Sequence, residues 1–329
     1  MTARLLAFTD RGYRLAVRLG AILKGEVSRC GTNCSLNDWT SRAFVEADAL
    51  IFVGAAGIAV RAIAPHIRSK AEDPAVLVAD ETGTFVIPIL SGHLGGANAL
   101  ARRLAALIGG QAVITTATDR NGVFAVDLWA KAQNCAVLEP ERIKNISAPL
   151  LAGKTVEFES DWPIKGSVPD GLVSGTISGF SVSVTRKQDD RLHLVPRIAF
   201  LGVGCRRGTT KQSIEEAFHA LTKGFSLCPE AICQVCTIDR KASEPGLLAF
   251  CAAHGWRLMA YSPEDLSAVP GEFSASPFVE KTVGVDNVCE RAAVLGSGGS
   301  LLIPKQAGSG ITLAVALAPY TPNWWWEDV

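Results

Sequence analysis

The sequence predicts an α/β protein: two three-layer α/β/α domains with mainly parallel sheets, joined by a small α+β middle region. Three observations carry this. Apolar runs of strand length alternate with segments of helical period from Leu5 to about Thr118, and the same rhythm resumes at Arg197. A chain of 329 residues, 48% hydrophobic, is enough to bury a large core and too long for one ordinary domain. Between Val123 and Arg191 the texture changes to short β-like pieces rich in Gly, Ser and Pro. The expected domains are therefore 1–122, 123–195 and 196–329.

The elements follow in order. Leu5 to Phe8 is a first strand. Ala49 to Val53 is a second, followed by Gly54-Ala55-Ala56-Gly57 and a short helix ending near Pro65. Ala75 to Ala79 and Phe85 to Leu90 are two strands joined at Asp80-Glu81-Thr82-Gly83, an acidic, Gly-bearing hairpin turn. Ser91 to Asn98 is a glycine loop that opens an amphipathic helix, with Leu100, Leu104 and Leu107 on one face. A strand from Ala112 to Thr115 runs into Thr116-Ala117-Thr118-Asp119. In the middle region a helix spans Val126 to Gln133, Phe180 to Val184 alternates as a strand, and Pro196 marks the next boundary.

The last domain reads as strand Ile198 to Val203, loop Gly204 to Gly208 and helix Thr210 to Lys223. Strand Ala231 to Ile238, helix Glu244 to His254 and strand Arg257 to Tyr261 come next. Ser262-Pro263-Glu264-Asp265 supplies an N-cap, a first-turn proline and early acids. A helix from Asn287 to Leu295, the turn Gly296-Ser297-Gly298-Gly299, and strands Leu301 to Ile303 and Ile311 to Leu317 complete it.

Composition narrows the function. Basic and acidic residues balance at 32 each, so no global field attracts nucleic acid or an anionic membrane, and an anionic ligand must be met by local clusters. Apolar stretches stay well below the ~20 residues that span a bilayer. The amino terminus has neither the apolar core nor the cleavage site of a secretory signal, so a cytoplasmic location is expected. Nine scattered cysteines form no disulfide framework. The pair Cys233 and Cys236, near Cys228, has metal-ligand spacing but lies in a strand-like run, where positions three apart point to opposite faces.

Ligands of open α/β sheets bind where loops leave the carboxyl ends of strands. Four loops qualify: Gly54 to Gly57, Ser91 to Asn98, Thr115 to Asp119, and Gly202 to Thr210. His93 sits where helix-terminal N–H groups favour a neutral imidazole, the form that takes a proton from water at neutral pH. The adjoining glycines expose N–H groups suited to an oxyanion, although His93 serves equally well as a loop-packing residue. Glu81 and Asp119 are alternative bases; Asp119, with Thr116 and Thr118, also suits ligand contacts or a helix cap. In Gly202 to Thr210, Thr209 with Gln212 fits a capping box, and Arg206, Arg207 and Lys211 beside a helix start make an anion site. Lys305 follows a buried-looking strand and suits a substrate carboxylate. Trp324-Trp325-Trp326 is expected as a packed tail or as a subunit contact in a homodimer.

The ordered series Gly54 to Pro65, Lys70, Asp73-Pro74, Leu90 to Asn98 and Ile114 to Asp119 resembles the amino-terminal domain of the cobalt-precorrin-5A hydrolase (CbiG) family. Gly202 to Thr209, Gly296 to Gly299 and Pro304-Lys305 resemble the family's carboxyl-terminal domain, which occurs alone in the aerobic pathway protein CobE. The resemblance implies hydrolysis of the δ-lactone between the ring A acetate and C20 of cobalt-precorrin-5A, releasing acetaldehyde and giving cobalt-precorrin-5B in cobalamin biosynthesis. It implies a cobalt-bearing tetrapyrrole as partner and no cofactor of the protein's own, the cobalt coming with the substrate. The resemblance assigns no catalytic base; on the residues themselves the candidates are His93 or, failing it, an acid such as Glu81 or Asp119. Substrate contacts are expected from Gly54, Gly57, Arg61, Lys70, Ser91, Gly95, Gly96, Asn98, Thr116 and Thr118. The second half adds Gly204, Arg206, Arg207, Thr209, Gly298 and Lys305, on a cleft expected between domains.

Two rival readings remain open on sequence alone. One is a non-catalytic tetrapyrrole carrier. The other is an NAD(P)-dependent oxidoreductase on the Gly202 to Gly208 loop with Asp239 as ribose ligand, whose glycine spacing departs from the dinucleotide fingerprint.

Overall fold

The computed structural model describes the chain except residues 32, 70, 71, 118–120, 277–280, 282, 283 and 327–329. Three sheets follow one another along the chain. The N-terminal unit contains β1 (Ala3–Ala7), α1 (Asp10–Leu23), β2 (Glu26–Arg29), α2 (Leu36–Glu46), β3 (Ala49–Val53) and α3 (Ala56–Ile63), then β4 (Ala75–Ala79), β5 (Phe85–Leu90), α4 (Ala97–Ile108) and β6 (Gln111–Ala112). Its six strands are ordered β2-β1-β3-β4-β5-β6. β1, β2, β3 and β4 run parallel, β5 turns back antiparallel to β4, and β6 follows β5 in parallel.

β3 and β4 are buried at every position, as expected of central strands covered on both faces. α1 and α4 cover one face, and α2 and α3 the other. α4 buries Ala97, Leu100, Ala101, Leu104 and Ala105, the one-face stripe of a 3.6-residue period, and stops where Gly109 turns left-handed at φ 75°.

The middle unit contains α5 (Val126–Ala132), β7 (Cys135–Val137), α6 (Lys144–Leu151), β8 (Val156–Ser160), β9 (Leu172–Ser174), β10 (Phe180–Val182) and β11 (Leu192–Pro196), with strands ordered β7-β11-β10-β8-β9. What its sequence shows as short irregular pieces is thus a five-stranded sheet. An aromatic cluster fills its core: Trp129 and Phe180 are fully buried and Phe124 nearly so. Each such side chain contributes about 1.5–3 kcal/mol by leaving water.

The C-terminal unit contains β12 (Ala199–Cys205), α7 (Lys211–Phe225), β13 (Ile232–Ile238), α8 (Pro245–His254), β14 (Arg257–Tyr261), α9 (Pro263–Ser267), α10 (Cys289–Ser297), β15 (Ser300–Gly308) and β16 (Ile311–Leu317). The order is β14-β13-β12-β16-β15, with the first three parallel, β16 antiparallel to β12, and β15 antiparallel to β16. α7 and α8 cover one face and α10 the other. Gly202 is required by this packing: a Cβ there would run into the carbonyl oxygen of Cys289 on α10. The glycine that gives this loop its dinucleotide-like look therefore serves helix–strand contact.

The helix start differs from the expected capping box by one residue. Thr210, not Thr209, is the N-cap of α7 and accepts from Ser213 N at 3.2 Å, while the Thr209 hydroxyl turns back to the Arg206 carbonyl. Ala136, Val184 and Val195 of the middle unit share one core with β12, α7 and α8, so these two units are joined by apolar packing. Among the described residues, no helix is long and apolar enough to cross a membrane.

Candidate active site

The direction of β5 decides where the N-terminal chemistry lies. Because β5 opposes β4, the loop after Leu90 emerges where β4 begins, whereas Gly54 and the Asp80–Gly83 turn lie where β3 and β4 end. At ~3.3 Å per residue the strand separates these ends by roughly 16 Å. The structure therefore does not bring Glu81, Gly54, Gly57 and Arg61 to His93. Glu81 accepts instead from the Thr9 hydroxyl at 2.6 Å, and Arg61 reaches back along its own helix to the Gly57 carbonyl. Lys70, Thr118 and Asp119 lie outside the described residues.

The His93 loop is a tight fold held by specific contacts. Ser91 takes a left-handed φ of 55°, and its hydroxyl donates to the carbonyl of Asp73, just before β4, at 2.9 Å. A Cβ on Gly95 would collide with the Cβ and the carbonyl oxygen of Ser91, so that position requires glycine, and one on Gly92 would come within 2.8 Å of Asn98 Oδ1. Gly96, at φ 80°, leads into α4 without a side-chain cap. Asn98 donates from Nδ2 to Thr116 Oγ1 at 2.9 Å, bringing the Thr115–Thr116 segment alongside. Ser91, Gly95, Gly96, Asn98 and Thr116 thus do gather around His93. Among the described residues, no acceptor takes the backbone N–H of Leu94 or Gly95.

Two residues that sequence reasoning missed complete the arrangement, both on α5 of the next unit. The Asp127 carboxylate meets His93 Nδ1 at 3.0 and 3.1 Å, with both side chains only 11% exposed. A carboxylate on Nδ1 holds the neutral ring's proton there and leaves Nε2 as the basic nitrogen. Lys131, one turn along, places Nζ above Gly96, where an added Cβ would meet it at 3.0 Å. The signal in the sequence is an acid in the first turn of the helix and a lysine four residues later. The pattern alone names no partner.

A second polar region lies in the C-terminal unit, where β12 and β13 end. Here a cleft of about 1090 Å³ is lined by Gly204, Arg206, Arg207, Arg240, Lys241 and Lys305 together with Glu244 and Asp286. This exceeds the ~300–1,000 Å³ usual for small-molecule pockets. Glu244 fixes its floor, accepting from Gly208 N at 2.7 Å and from Lys241 Nζ at 2.9 Å, and these contacts, Lys241 first, hold its carboxyl below the usual carboxylate range. Burial pushes the thiols of Cys205 and Cys289 up, Cys289 to about 11, so they add no negative charge.

Lys305 is tied by its backbone N–H to the buried Glu290 and by Nζ to the Ser274 carbonyl. Arg206, Arg207, Gly204 and Lys305 therefore converge. Gly298 does not: it ends α10 at φ 60° and precedes Ser300, which pairs at the opposite end of the sheet.

Fold and sites together define a protein with two α/β lobes: a histidine–carboxylate pair at the edge of the first and a cation-lined cleft in the second. Residues 38–119 match the family model for cobalamin synthesis G, N-terminal, and residues 199–316 match that for the cobalamin synthesis G C-terminus. The cobalt-precorrin-5A hydrolase of Salmonella typhimurium is 33% identical, covering 95% of this chain and 97% of its own. That of Priestia megaterium is 32% identical over 82% of this chain and 79% of its own. A solved cobalamin biosynthesis protein G homolog from Sulfolobus solfataricus is 20% identical across 97% of both chains, with a TM-score of 0.41. The chain belongs to the cobalt-precorrin-5A hydrolase (CbiG) family.

Proposed function

We propose that the protein is a hydrolase acting on cobalt-precorrin-5A, opening the ring A acetate δ-lactone and releasing acetaldehyde to give cobalt-precorrin-5B. The His93–Asp127 pair is the observation that carries the chemistry, because it supplies an oriented base beside exposed loop N–H groups. His93 Nε2 takes a proton from water as its oxygen adds to the lactone carbonyl. The resulting oxyanion is met by the N–H groups of Leu94 and Gly95 and by the field of Lys131. The tetrahedral intermediate expels the C20 oxygen, freeing the ring A acetate. That oxygen then forms a carbonyl, the C20–macrocycle bond breaks with its electron pair left on the macrocycle, and a proton is returned there. Atoms balance with one water consumed.

The cation-lined cleft suits the substrate's peripheral carboxylates, through charge-assisted hydrogen bonds from Arg206, Arg207 and Lys305. The cobalt enters and leaves as part of the substrate, and no cofactor of the protein's own is invoked. A cytoplasmic site of action follows from the pathway assignment.

The test is acetaldehyde release, with the matching loss of corrinoid mass, when pure protein meets cobalt-precorrin-5A without oxygen. Release is expected from the wild type, and His93→Ala should lose about 10²–10⁴-fold in rate while still binding. Tight binding without release by the wild type would replace this reading with that of a carrier.

A further inference from the structure

The segment that follows β16 returns to the middle unit and grips α5, the helix that carries Asp127. The Asn323 carbonyl accepts from Trp129 Nε1 at 2.7 Å, and Asn323 N donates to Gln133 Oε1 at 3.0 Å. Gln133 Nε2 donates to the Trp325 carbonyl at 3.1 Å. Trp324, 6% exposed, stacks on Trp129 at 5.4 Å and meets Phe158 edge-on at 4.8 Å. Lys165 holds the strap from the other side, donating to the Pro322 carbonyl and accepting from Trp324 N.

At 100° per residue, Trp129 lies about 200° around the helix from Asp127, and Gln133 about 40° beyond Trp129. The same arithmetic puts Lys131 near Asp127. One face of α5 is thus clasped by the strap and the other meets the His93 loop. α5 has seven residues and no side-chain cap, too short to hold its own place without tertiary contacts.

We propose that the 323–326 strap is a positioning device for the proposed active site: by fixing Trp129 and Gln133 it sets Asp127 against His93 and so orients the base. Trp324, Asn323 and Gln133 are positioning residues, acting through Asp127 without touching substrate. Through the strap, the C-terminal unit reaches the proton chemistry of the N-terminal one. The inference rests on the reading of His93 as base, but its test does not need turnover.

The test is the imidazole NMR signal of the His93 Nδ1 proton in ¹⁵N-histidine-labelled full-length protein, identified by its loss in His93→Gln; with 5 histidines the spectrum is tractable. Wild type should show an Nδ1-protonated ring with a slowly exchanging proton, and Asp127→Asn should lose it. Trp324→Ala and Gln133→Ala should broaden or lose that signal, and Trp324→Phe, which keeps the ring contact, should restore it. In turnover the same two variants should lower kcat by up to about 10²-fold and leave KM unchanged. A signal that persists in Trp324→Ala and Gln133→Ala while their melting temperatures fall would overturn the proposal, leaving the strap a stabilising contact. Absence of the signal in wild type would instead sink the His93–Asp127 pair. Absence of acetaldehyde with the signal intact would sink the hydrolase reading alone.

Discussion

In the N-terminal unit the polar loops meet at His93, where β4 begins; in the C-terminal unit the cations meet where β12 and β13 end. Both units are parallel sheets in which a reversed strand, β5 or β16, follows the parallel run, and both cover their sheets on two faces. The reversed strand is used differently. β5 carries its loop away from the carboxyl ends of its parallel neighbours and hands it to a helix of the next unit. β16 starts at those carboxyl ends, so its hairpin becomes a wall of the cleft. One architecture thus yields a sheltered histidine–carboxylate pair in one place and an open, cation-lined cleft in the other.

The comparison breaks most severely if the middle unit is loosened, because that unit supplies Asp127. Arg191 is 4% exposed and bonds both Asp189 and Glu159; Lys187 and then Arg191 hold the Glu159 carboxyl below the usual range, and Arg191 does the same for Asp189. Arg191→Met should take the shared cation from two partly buried acids, which keep Lys187 and His193 beside them, and destabilise by about 1.5–3 kcal/mol. Denaturant unfolding followed by tryptophan fluorescence would read this, since Trp129, Trp162, Trp324 and Trp326 report on that core.

The C-terminal cleft is tested next. The double variant Arg206→Ala with Arg207→Ala removes charge-assisted bonds of about 1.5–3 kcal/mol each. KM for the tetrapyrrole should rise by roughly 10²-fold with kcat little changed. A fall in kcat at unchanged KM would place those arginines with the proton chemistry and erase the contrast between the lobes.

The smallest effect concerns the cleft floor. Glu244 has a depressed carboxyl, so its contribution is fully present above the unfolded carboxylate value and is lost as pH falls through the lower folded one. Glu244→Gln should cost about 1.5 kcal/mol near neutrality. The difference from wild type should shrink in acid, as read by urea unfolding across pH.

Much of the fold was legible. Ala49–Val53, Ala75–Ala79, Phe85–Leu90, Arg257–Tyr261 and Ile311–Leu317 are strands with the bounds their sequence suggests. Each is a largely apolar run with a glycine, proline or acid within two residues of either end, so local chemistry marks both ends. The β4–β5 hairpin was also legible from Asp80-Glu81-Thr82-Gly83. Its consequence, that the following loop opens at the other end of the sheet, separates His93 from Glu81 and Gly54. The middle sheet was hidden because its strands are three to five residues long and its pairs are non-local. Asp127 was hidden for a related reason: it lies 34 residues from His93, and nothing local marks a first-turn acid as a partner rather than a dipole ligand.

The strap also places a demand on biosynthesis. Trp129 finds its hydrogen-bond acceptor 194 residues later in the chain. At a translation rate of ~5–20 residues per second, the helix bearing Asp127 leaves the ribosome about 10–40 s before its clasp is made. During that interval the N-terminal sheet already has all of its strands, while the aromatic cluster of the middle unit still awaits Trp324. Nascent chains therefore pass through a stage with exposed indole and phenyl rings, the stage at which a holding chaperone has a surface to bind.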